Sequence, residues 1–169
     1  METLIRVAKV ASRAPVALAC LALFVLMGMT FADVIGRSAF DAPIEAATEL
    51  TRILMAVMVF SCLPVISARG GHIAVDLFDG FFDRWHLNRL REAAIHIACG
   101  VMLAWPAQRV WVLAGRARDY GDVTEYLSIP VFYVTAFIAV SVAVTAAVMV
   151  AVGLVHLVAP YLLDEDIAA

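Results

Sequence analysis

Few side chains in this sequence are of a type that does chemistry, and their most informative spacing lies between Asp33 and Arg84. Glu45, Glu49 and Arg52 are spaced i, i+4, i+7, which puts them on one face of a helix. Glu49 and Arg52 are then within pairing reach, and Arg37 approaches the same face from the preceding loop. Two readings stand: charges snorkelling to water, or an ionic cluster that locks this helix to a neighbour. His72 and Asp76 are four residues apart after Gly70-Gly71, so the carboxylate can hold the imidazole or cap a new helix. No nucleophile or further metal ligand stands near them, which argues against catalysis. His96 and His156 lie in the inner parts of two apolar runs at comparable depth. Two imidazoles on facing helices can ligate haem, as in the membrane anchor of an oxidoreductase. Nothing else in the sequence marks a macrocycle pocket, and a lone membrane histidine is more often a packed side chain.

The elements that must position these residues are membrane spans. The chain has 169 residues, 64% apolar and 16% charged, with a mean hydropathy of +0.93. A soluble domain is about 45–50% apolar and about 25% charged. Apolar runs cover 14–34, 46–68, 90–113 and 130–158, each near the ~20 residues that cross about 30 Å of hydrocarbon. The fold expected is therefore an all-α membrane protein forming one membrane domain, residues 1–169. It has four transmembrane helices and an amphipathic interfacial helix between the second and third. That interfacial helix is expected over 73–85, where Ala74, Leu77, Phe78, Phe81, Phe82 and Trp85 form an apolar stripe of helical period. Too short to span, it suits the cytoplasmic interface, its aromatic face in lipid or against another subunit.

The net charge of −3 indicates no nucleic-acid partner. Cys20, Cys62 and Cys99 all lie in spans without a Cys-x-x-Cys pair and read as packing residues. No phosphate loop or nucleophile–base pair is visible, so neither an enzyme nor a resident cofactor is expected. Arg6, Lys9 and Arg13 before an apolar core resemble a secretory signal, but the run is as long as a full span, so a retained first helix is expected. It starts at Pro15, harmless in a first turn. Basic residues crowd the N-terminus and the second loop (Arg69, Arg84, Arg89, Arg91). By the positive-inside rule both termini are then cytoplasmic.

Pro64 removes one hydrogen bond within the second span, and the third, with Pro106 near its outer end, is expected to project beyond the bilayer. Trp105 and Trp111 suit the outer interface. Ser128 is the expected N-cap of the fourth helix, with Pro130 in its first turn. That helix has a small residue at every fourth position, Ala139, Ala143, Ala147 and Ala151, a pattern that lets another helix approach closely in lipid. A transport pathway shows ionisable groups at mid-membrane and broken helices in two repeats; these spans are apolar at their centres. The chain reads as a scaffold that works through a partner.

Arg37…Phe40…Pro43…Glu49-Leu50…Arg52, then Arg69…His72…Val75-Asp76-Leu77 and later Leu127-Ser-Ile-Pro130, resemble the small membrane subunit of TRAP (tripartite ATP-independent periplasmic) transporters. The resemblance covers about 31–150. It departs at Ala46-Ala47, where the family commonly has an aromatic residue, and in the lack of a second proline in the last helix. The resemblance implies a non-substrate-binding subunit in the bacterial inner membrane. Its partners would be a large TRAP membrane subunit, sodium-coupled and moving as an elevator, and a periplasmic protein that captures an organic acid. It implies that Arg37, Glu49, Arg52 and the third loop face the periplasm, and that His72, Asp76 and the stripe through Trp85 brace the cytoplasmic side.

Overall fold

The computed structural model describes residues 2–68 and 88–158. The interfacial helix expected over 73–85, with His72, Asp76, Phe78, Phe81, Phe82 and Trp85, lies outside the described residues. Four helices follow in order: α1 (Glu2–Phe40), α2 (Ala47–Ala68), α3 (Asn88–Tyr120) and α4 (Val131–Val158). Each contains a stretch long and apolar enough to cross a membrane: Arg13–Phe40, Ala47–Ala68, Leu90–Tyr120 and Val131–Leu157.

Three boundaries differ from the sequence reading. Helix α1 runs through Pro15 rather than starting there, because residues 2–12 are mostly good helix formers and a proline removes one intrahelical bond without ending the helix. It also extends past residue 34 to Phe40, which places Arg37 in its last turn and not in a loop. The third correction is at Ser128, which is left-handed (φ 50°) and does not cap α4. As expected, α3 is long: its 33 residues make about 50 Å at 1.5 Å per residue, more than the hydrocarbon needs.

Helix α3 packs on α4, α4 on α2, and α2 on α1. The spatial order is thus α1–α2–α4–α3, and no further pairing among the described helices closes the row into a ring. The central helix α4 is the most buried and its neighbours remain open to lipid, so large apolar side chains such as Phe24, Phe31 and Met102 are exposed.

The tightest seam joins α3 to α4. A Cβ on Gly100 would meet Val150 Cγ2 at 2.7 Å and the Ala146 carbonyl at 2.9 Å; one on Gly153 would meet Ile97 Cγ1 at 2.7 Å and the Ala93 carbonyl at 3.1 Å. The two glycines therefore let the antiparallel backbones touch reciprocally. Around them the seam is small at every seventh position: Ala93, Gly100, Ala107 and Ala114 on α3, Ala139, Ala146 and Gly153 on α4, all buried. In lipid, such close backbone contact supplies the dispersion energy that hydrophobicity cannot.

Candidate functional site

The polar residues of the described chain gather where α1 ends, α2 begins and the α3–α4 loop turns. Helix α1 stops at Asp41, which takes the left-handed conformation (φ 53°) that a short polar side chain tolerates, and the Ala42 amide donates to the Gly36 carbonyl at 3.1 Å. Asp33 then does two things. Its Oδ2 accepts from Arg37 at 3.1 Å, and its Oδ1 accepts from the Ile44 amide at 2.9 Å. One carboxylate thus fixes the connection into α2.

The α3–α4 loop is built with comparable economy. Gly121 (φ 67°) ends α3; its amide donates to the Arg118 carbonyl and the Asp122 amide to the Ala117 carbonyl, the paired bonds of a Schellman turn. An antiparallel bridge joins Val123 to Pro130, with Thr124 and Ile129 exchanging bonds inside it. The tip amides of Tyr126 and Leu127 have no acceptor within the loop. Glu49 supplies it: its Oε2 accepts from both, at 3.1 and 3.0 Å. These are charge-assisted bonds to a carboxylate, stronger than neutral ones. The other oxygen of Glu49 is buried and has no partner.

Of the two readings the sequence leaves open, a single ionic cluster is not what forms: the charges are split between partners. Arg37 pairs with Asp33, a residue the sequence reading did not use, though its i, i+4 spacing to Arg37 was the available signal. Glu49 turns to the third loop and not to Arg52. Arg52 and Glu45 are exposed, and Arg52 lines a groove of about 290 Å³ between α1 and α2 with Arg37, Asp33, Thr48 and Thr51. Of the alanine stripe on α4, only Ala139 is buried; Ala143, Ala147 and Ala151 are exposed, turned progressively away from the α3 seam.

His96 and His156 do meet, across α3 and α4, with ring centroids 5.5 Å apart and planes tilted by 34°. His96 Nδ1 lies 2.9 Å from the Glu92 carbonyl, which can only accept, so that nitrogen carries the proton; His156 Nδ1 lies 3.6 Å from the Glu92 carboxylate. The imidazoles are in direct contact with each other and with Glu92, without a macrocycle-sized gap between them. Among the described residues no group of three or more His, Cys, Asp or Glu is arranged to hold a metal ion. The pair reads as an interhelical polar contact, and the haem-anchor reading loses its geometric support.

Fold and polar cluster together define a class: a multi-pass helical membrane subunit, built as an open row, whose charged residues secure loops at one end. The chain matches the family model described as "Tripartite ATP-independent periplasmic transporters, DctQ component" over residues 26–159. It belongs to that family, the small membrane subunits of TRAP transporters, and is non-catalytic. No curated protein and no solved structure matches it.

Proposed function

We propose that this chain is the stationary frame for a large, sodium-coupled TRAP subunit that carries the substrate and moves as an elevator. The observation that carries the reading is the open row α1–α2–α4–α3. Four helices paired in a line offer a broad lateral wall to a partner and leave little interior for cargo. Within that reading the exposed Ala143, Ala147 and Ala151 are the face where a helix of the large subunit packs closely, since small residues permit that approach in lipid. The stapled end, with Arg37, Glu45, Glu49, Arg52 and the third loop, faces the periplasm and gives the organic-acid-binding protein a surface to meet. Both termini and the segment from His72 to Trp85 are cytoplasmic, as the basic residues of the N-terminus and second loop favour.

Co-purification and uptake test this. The large subunit should be retained by this chain through detergent extraction, and uptake should cease when this chain is deleted. Uptake that persists without it removes the scaffold reading. Reporter fusions at each terminus and at the third loop test the orientation independently; a periplasmic N-terminus would reverse it.

A further inference from the structure

The charge left over at the outer end of α2 suggests a ligand. Among the described residues Arg52 makes no ion pair: Glu49 is turned to Tyr126 and Leu127, and Asp33 is engaged with Arg37 and the Ile44 amide. The residues lining the groove between α1 and α2 include two guanidiniums and one carboxylate, Arg37, Arg52 and Asp33, an excess of one positive charge on its wall, while Glu49 directs its carboxylate to the third loop. A charge near hydrocarbon persists when paired or wetted.

Its depth and surroundings point to what completes it. Arg52 is five residues into α2, which begins at Ala47, or about 7.5 Å along the axis at 1.5 Å per residue. Side chains on a helix tilt toward its N-terminus, which carries the guanidinium back to the level of the headgroups. Below it on the same face, at i+3, i+7 and i+14, come Met55, Val59 and Ile66, all exposed and apolar. A cation at the top of an exposed apolar strip has the layout of one lipid, headgroup above and acyl chain beneath. The groove volume of about 290 Å³ has room for a phosphodiester between the two guanidiniums, and Thr48 and Thr51 add hydroxyl donors to its wall. One negative charge balances it.

We infer that the α1–α2 groove binds the phosphodiester of an anionic phospholipid, Arg52 and Arg37 holding the phosphate while an acyl chain lies along Met55 and Val59. The inference is independent of the scaffold reading, since it concerns lipid and not the moving subunit. The test uses the full chain purified with its large subunit. Its unfolding midpoint is titrated with dioleoyl phosphatidylglycerol, dioleoyl phosphatidylcholine or inorganic phosphate, and retained lipid is counted by native mass spectrometry. Phosphatidylglycerol should stabilise the wild type more than phosphatidylcholine, inorganic phosphate should not, and Arg52→Gln should weaken the phosphatidylglycerol response at least tenfold while Arg52→Lys keeps most of it. If Arg52→Gln does not assemble, Arg37→Gln must show the weakening instead. Equal phosphatidylglycerol affinity in wild type and variant overturns the inference, as does a response to inorganic phosphate alone. Loss of the large subunit from Arg52→Gln with lipid affinity unchanged also overturns it, and would place an acidic side chain of that partner in the groove.

Discussion

Glu49 Oε2 lies 3.0 Å from the amide of Leu127, a residue 78 positions further along the chain. Together with the bond to the Tyr126 amide, this contact ties the start of α2 to the tip of the α3–α4 loop. Hydrogen bonds to a charged group contribute about 1.5–3 kcal/mol each, and unmet amides away from water carry a further penalty. Glu49→Ala should therefore loosen the loop without unfolding the helices. Hydrogen exchange at the Tyr126 and Leu127 amides should accelerate by at least tenfold, while exchange in α3 and α4 stays as it was. Unchanged exchange at both amides would show that the carboxylate does not hold the loop.

Asp33 offers a sharper contrast, because its two oxygens serve different purposes. The bond to Arg37 is mostly in water, with the Arg37 side chain 68% exposed and that of Asp33 only 15%. An exposed ion pair of this kind contributes about 0–1 kcal/mol. Arg37→Gln should accordingly leave thermal stability almost unchanged. Asp33→Ala also strips the acceptor from the Ile44 amide and should cost about 1–3 kcal/mol, read as a lower unfolding midpoint. Equal effects of the two substitutions would contradict this division of labour.

The reciprocal glycines make the α3–α4 seam sensitive to single methyl groups. Each Cβ would fall under 3.0 Å from a neighbouring side chain, and on Gly100 also from the backbone carbonyl of Ala146, which cannot rotate away. Overpacking of this sort costs about 1–3 kcal/mol. Gly100→Val and Gly153→Val should each lower the unfolding midpoint by several degrees. Gly28→Val and Gly115→Val, where a Cβ meets nothing within 4 Å, should cost less, limited to helix propensity. A midpoint that ignores Gly100→Val would mean the two helices are not in backbone contact.

How far the sequence revealed this structure depended on the range of the interaction. The four spans were legible because an apolar run of fixed length is a local property, and the long α3 followed from the same signal. The ionic cluster was legible as residues but not as pairs. Glu49 and Arg52 share a helix face, yet the better partners of Glu49 are backbone amides 77 and 78 positions away, and no local spacing encodes them. Ser128 departs from the capping role for a related reason: the cross-bridged loop from Asp122 to Val131 dictates its backbone, overriding its preference for capping.

The histidine pair illustrates a contact found for the wrong reason. Equal depth on two helices did bring His96 and His156 together, but their rings lie against each other, with Glu92 one turn before His96 beside both and no macrocycle-sized gap between them. The purified protein should show no Soret absorption after reconstitution with haemin, at protein concentrations where a bis-histidine anchor saturates. His96→Ala should leave that spectrum unaltered. A Soret band that His96→Ala or His156→Ala abolishes would restore the haem reading.

The alanine stripe on α4 begins on a buried face and ends on an exposed one. Four residues advance a helix by about 400°, so a stripe of every fourth residue rotates about 40° per step away from its starting face, whereas seven residues drift only about 20°. That is why Ala139 is buried at 1% exposure and Ala146 at 6%, while Ala143, Ala147 and Ala151 have turned outward. Ala146→Leu should then destabilise the isolated chain by forcing α3 and α4 apart, at about 1–3 kcal/mol. Ala143→Leu and Ala147→Leu should leave its unfolding midpoint within about 0.5 kcal/mol, as surface changes do. If the outward face packs on the large subunit, those same two substitutions should release the large subunit during co-purification, because a bulky side chain bars the close approach that small residues allow. Retention of the large subunit by an Ala143→Leu, Ala147→Leu double variant would leave that face to lipid and move the interface elsewhere on the row.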